Sequence, residues 1–184
     1  MVVRKDRGER TRLTLINRFY IKGGKAPNLK LMNIDFYLKR KSYLNIPKHG
    51  VNHKNPEYQK EVARLAFVWC SYQMGQSKYH LDFPTLKIFN IKCKEYRGHY
   101  NEVKNEIVIY LKNHRSSIDI CRTIIHEWKH YQQNILIMYD VYLRVYKRKL
   151  NNHPYEISAE KAAIRLGGDC KNWVITVLKQ KNNG

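Results

Sequence analysis

Apolar positions recur every three or four residues in four stretches of the chain and crowd into strand-like runs in a fifth. In NPEYQKEVARLAFVWCSYQMG, residues 55–75, Val62, Leu65, Ala66 and Trp69 fall on one helical face. Asn55 is placed to cap that helix, Pro56 suits its first turn, and Gly75 ends it. Residues 84–112 read differently. PTLKIFNIK and NEIVIYLKN are rich in β-branched residues, and YRGHYNEVK between them reads as a third strand followed by a turn, so an antiparallel meander is expected.

Helical spacing then returns. HRSSIDICRTIIHEWKHYQQNILI opens with Ser116 and Asp119 in capping-box positions, Asp standing for the usual Glu. Ile120, Ile124, Trp128, Tyr131 and Ile135 form its apolar stripe. NHPYEISAEKAAIRLG predicts a further helix, started by Pro154 and stopped at Gly167. DCKNWVITVLKQKNNG predicts a last one, capped by Asp169, with Trp173, Val174, Val177 and Leu178 turned inward. The pattern therefore predicts an α+β fold, a small antiparallel or mixed sheet packed on one central helix and on C-terminal helices.

A length of 184 residues suits one core. Charge divides it. Of 35 basic and 15 acidic side chains, residues 1–54 hold 14 Lys or Arg against three acids, which marks that segment as a basic leader ahead of a folded domain over 55–184. A formal charge of +20 draws polyanions, so nucleic acid is an expected partner through the leader, although charge of this kind also serves merely to solvate a surface. The first residues, MVVRKDRGERTRL, lack the apolar stretch of a signal peptide, and LAFVWC and NILIMYDVYLRVY are too short to cross a bilayer. No membrane association is expected. Cys70, Cys93, Cys121 and Cys170 show no CxxC spacing, so reduced thiols in a cytoplasm, including that of a host cell, are expected.

The chemistry concentrates in TIIHEWKHY, residues 123–131. At 3.6 residues per turn, His126 and His130 stack on one face, apart from the apolar stripe, and can point at one ion. Glu127 lies about 100° round from His126, where a carboxylate takes a proton from water. This is the HExxH arrangement of a zinc peptidase; two surface histidines in simple i, i+4 contact are the bland alternative. A catalytic zinc wants a third protein ligand and an open position. Glu156 is the candidate, because it shares a face with Ala159, Glu160 and Ala163, whose small alanines let two helices approach closely. His153 competes for the role, but it precedes Pro154 and so falls outside the helix.

HEWKH followed 26 residues later by EISAE resembles the gluzincins, zincin metallopeptidases whose HExxH is completed by a Glu in an ExxA(D/E) segment. The likeness is nearest to the compact phage and bacterial minigluzincins and to the ImmA/IrrE-type and HtpX-type peptidase domains, and it covers about residues 84–167. The resemblance implies a zincin-like fold, one Zn²⁺ held by His126, His130 and Glu156, and Glu127 as the general base and acid of a peptidase acting on a protein or peptide substrate. It also implies that Glu160, where many relatives have Asp, accepts the free ring N–H of a ligand histidine, and that residues 96–100 form an edge strand beside the substrate, Gly98 giving close backbone approach. An oxyanion donor is expected among Tyr139, Tyr142, Tyr146, His153 and Tyr155, and the residues do not single one out. His49, His53, His80, His99 and His114 receive no chemistry. The competing functional readings are a basic nucleic-acid-associated protein, such as a phage virion or injected component with a zincin core of reduced or no activity, and a purely structural zinc site.

Overall fold

The computed structural model describes residues 54–133, Arg144 and 153–182. The leader over 1–54, all but Lys54, lies outside the described residues, as do Ile135, Tyr139, Tyr142 and Tyr146. Helix α1, Pro56–Gln73, begins where the Asn55 side chain accepts the N–H of Glu57. It ends as expected, Gly75 taking φ +72° and its N–H reaching back to the Cys70 carbonyl. Val62, Leu65, Ala66 and Trp69 are all buried.

Three strands follow, β1 (Thr85–Phe89), β2 (Gly98–Asn101) and β3 (Glu106–Tyr110). They do not form a meander. The order is β1-β3-β2, with β3 antiparallel to β2 but parallel to β1. Asn105 explains the difference: it sits at φ 48°, a conformation Asn tolerates, and its side-chain amide donates to the carbonyls of Asp82 and Phe83. Its own carbonyl accepts the N–H of Thr85, so the start of β1 is held against the start of β3 and the two must run the same way. β3 in the middle is apolar on both faces and buried over Glu106–Ile109.

After a 3₁₀ turn at Leu111–Asn113 comes α2, Ser117–Tyr131. Ser116 caps it by accepting from the Asp119 N–H, while the Asp119 carboxylate accepts from the Arg115 N–H, one residue earlier than a standard box. Ile120, Ile124, Trp128 and Tyr131 are buried, and the Trp128 indole donates to the Gly75 carbonyl, tying α2 to the end of α1. The helix stops at Tyr131, short of the run the sequence suggested.

The C-terminal region is one helix rather than two: α3 runs unbroken over Pro154–Asn182. Gly167 is no stop. A Cβ there would stand 2.7 Å from Arg122 Cγ, so the glycine lets α2 and α3 pack closely. Ala159, Ala163, Cys170, Val174 and Val177 continue that buried stripe along α3. One cysteine from each helix, Cys70, Cys121 and Cys170, is buried in the core, and none is in a disulfide. Burial pushes the Cys70 thiol up, and the hydrogen bond with Cys121 followed by burial does the same for Cys170, which favours the neutral thiol at both. Among the described residues, three helices against a small mixed sheet give the α+β fold. No helix among the described residues is long and apolar enough to cross a membrane.

Candidate metal centre

The last two turns of α2 and the first turn of α3 meet where Ala159 and Ala163 remove bulk. His126 and His130 project from α2 with ring centroids 4.7 Å apart. Their Nε2 atoms face each other at 3.0 Å. Glu156 closes the group, one carboxylate oxygen 3.3 Å from His126 Nε2 and the other 3.4 Å from His130 Nε2. A single ligand atom from each residue can be chosen so that all three lie within 4.8 Å of one another.

The partners of the other ring nitrogens decide what these atoms are. His130 Nδ1–H donates to Gln133 Oε1 at 2.9 Å, which leaves Nε2 as a bare lone pair. His126 Nδ1 faces a Glu160 carboxylate oxygen at 3.5 Å, so its proton also belongs on the outer nitrogen. With the ring protons on the outer nitrogens, two lone pairs and a carboxylate converge on one point; a proton on an inner nitrogen, as in the His126–Glu156 hydrogen bond, or a metal ion joins them there. That is an arrangement that could hold a metal ion. Zinc bonds of about 2.0–2.2 Å would set ligand atoms about 3.3–3.6 Å apart in a tetrahedron, close to the observed separations. Burial by itself would lower the His126 pKa, but its hydrogen bond to Glu156 and the charges of Glu127, Glu156 and Glu160 outweigh that and push it up. The surroundings of His126 favour positive charge.

Glu127 is 7% exposed, on the side of α2 that faces the sheet. Burial raises its carboxyl pKa, Glu156 adds to the rise, and His126, His130 and the main-chain N–H of Tyr100 oppose it. That N–H has no use in the sheet. The Arg97 carbonyl accepts from Tyr110, so in this antiparallel pair Arg97, His99 and Asn101 bond to β3 while Gly98 and Tyr100 turn their main-chain groups to the outer edge. β2 is indeed an edge strand among the described residues. The role expected for Gly98 is different, however. A Cβ there would stand 2.8 Å from both Thr123 Cγ2 and the Val108 carbonyl oxygen, so its smallness serves the contact of β2 with α2 and β3. That contact brings Tyr100 to Glu127.

His153 is not among the converging groups. It is 1% exposed, its Nδ1 accepts the N–H of Tyr155, and its carbonyl accepts from Ile157, so it starts α3. Glu156 rather than His153 reaches the two imidazoles. Tyr155 packs its ring on His153 at 5.1 Å. Of the histidines given no role, His80 hydrogen-bonds the Tyr100 hydroxyl and stacks on Tyr131, and His114 bonds the Tyr110 carbonyl and the Thr123 hydroxyl. Both brace the sheet against α2.

The residue that sequence reasoning missed is Gln133. Only 8% exposed, it accepts from His130 Nδ1 and donates through Nε2 to the Tyr155 carbonyl at 3.2 Å, linking the His130 ring to the first turn of α3. Its signal was its place three residues beyond His130, just past the end of the helix. Searches of family models, of curated proteins and of solved structures find no match to this chain.

Proposed function

We propose that the chain is a zinc-dependent endopeptidase of the gluzincin type, acting on protein or peptide substrates. The observation that carries this reading is the convergence of the His126 and His130 nitrogens and the Glu156 carboxylate on one point. Mixed imidazole and carboxylate donors in that number suit Zn²⁺, with one position left for water. Bound there, zinc supplies a Lewis acid that brings the pKa of a water to about 7 and polarises a carbonyl.

The protein's own groups do the rest. Gln133 and Glu160 hold the two imidazoles with their lone pairs inward. Glu127, its carboxyl raised by burial, accepts the proton of the attacking water and passes it to the leaving amine, so no acyl-enzyme is required. The Tyr100 N–H keeps one of its oxygens in place during both transfers. The outward main-chain groups of Gly98 offer an edge against which a substrate strand can pair. Free, buried cysteines suit a reducing compartment such as the cytoplasm.

Glu127→Gln tests the reading. It keeps the shape and the ligands, so zinc content should stay at one per chain, while cleavage of an unfolded protein such as casein should fall by at least about a hundredfold. A variant that still cleaves at the wild-type rate would overturn the assigned mechanism.

A further inference from the structure

The sheet face turned away from the helices carries chemistry that the metal centre does not use. Alternation along the strands sends Ile88, Tyr100 and Ile109 toward the core and puts Phe89, His99 and Tyr110 on the opposite face. Their rings form a row across all three strands. Phe89 stacks on Tyr110 at 6.0 Å and 21°, Tyr110 on His99 at 5.9 Å and 30°, and Tyr96, just ahead of β2, meets His99 at 6.1 Å. The two ends of the row are open to solvent, Phe89 at 43% and Tyr96 at 53% exposure.

Beside the row runs the β1–β2 loop, residues 90–97, with Lys92, Lys94 and Arg97 exposed against a single acid, Glu95. The loop is pinned. The Asn113 side chain accepts the Cys93 N–H and donates to the carbonyls of Cys93 and Tyr96, so the cations are presented from an ordered segment. Lys87 on the same face is engaged with Glu106 at 2.7 Å and is not part of the set.

We propose that this face binds single-stranded nucleic acid, its bases stacked on the exposed rings of Phe89 and Tyr96 at the two ends of the row and its phosphates against Lys92, Lys94 and Arg97. Flat rings beside ordered cations match the two parts of a nucleotide, since every base has a π-face and every linkage a negative charge. An acidic peptide would satisfy the cations and leave the rings idle; a duplex would keep its base faces hidden. The net charge of +20 draws a polyanion to the chain as a whole, and the ring row decides where a single strand settles. The proposal does not depend on the metal centre.

The test is fluorescence anisotropy of the full chain with a labelled oligothymidylate about 12 nucleotides long, within the usual span of such sites. Phe89→Leu and Tyr96→Leu keep apolar bulk at exposed positions and remove the flat ring; each should weaken binding about tenfold. Lys92→Ala and Lys94→Ala should each lower the slope of log affinity against log salt by about 0.7. An oligouridylate in parallel separates RNA from DNA as the preferred strand, and binding of either supports the proposal. It is overturned if the leucine variants bind as tightly as wild type, if a duplex of equal length binds as well as the single strand, if polyglutamate displaces the oligonucleotide at equal charge, or if neither strand binds.

Discussion

Truncating Gln133 to alanine should loosen zinc without unfolding the protein. The side chain makes two buried hydrogen bonds, 2.9 Å from His130 Nδ1 and 3.2 Å to the Tyr155 carbonyl. Each bond of this kind contributes about 0.5–1.5 kcal/mol net, so about 1–3 kcal/mol is at stake, and more of it appears in the metal-bound state, where the imidazole N–H is more acidic. Part of the loss is common to both states and cancels. A remainder of about 1.4 kcal/mol, within that range, is a tenfold weaker dissociation constant. Competition against a chromophoric zinc chelator reads this directly. Gln133→Glu retains an acceptor for Nδ1–H and should recover most of the affinity, which a purely structural role for the amide would not predict. Zinc affinity of Gln133→Ala within about twofold of wild type would refute the reasoning, since outer-shell partners of this sort matter by at least tenfold.

Two glycines should respond in opposite directions. Gly98→Ala forces a methyl to within 2.8 Å of the Val108 carbonyl and should cost about 1–3 kcal/mol, whereas Gly168→Ala, with nothing within 4 Å and a helical backbone, should add about 0.5–1 kcal/mol; thermal unfolding of the two variants checks the signs. His114 sets a pH dependence. Burial lowers its pKa below the usual 6.5, so the folded chain prefers it neutral and the unfolded chain binds the extra proton. Stability should fall as pH drops below about 6.5 and level off once the folded-state pKa is passed, and His114→Gln should remove that component of urea-unfolding profiles taken across the range. Equal slopes in the two proteins would count against it.

Local signals carried most of what was legible. Asn55, Pro56 and Gly75 punctuate α1 through caps that act within a turn, and HEWKH sets two rings on one face by helical geometry alone. Glu156 was legible because Pro154 starts α3 and the alanines behind it mark a close approach. What was not legible is non-local. The parallel pairing of β1 with β3 depends on the Asn105 side chain bonding carbonyls 22 and 23 residues away, which strand periodicity cannot report. Gly167 misled for a physical reason: the missing side chain that lets a helix end also lets another helix approach, and Arg122 lies on the far side of that contact. Gln133 escaped notice because its function appears only once α2 stops at Tyr131 and its side chain meets the Tyr155 carbonyl of α3.

Zinc X-ray absorption on the metal-loaded chain bears most directly on the central claim. Two imidazoles and two oxygen ligands, one of them from Glu156 and one from water, are expected at about 2.0–2.2 Å, with no sulfur, and Glu156→Ala should lose one protein oxygen from that shell. A sulfur shell near 2.3 Å, or a spectrum with fewer than two imidazoles, would contradict it.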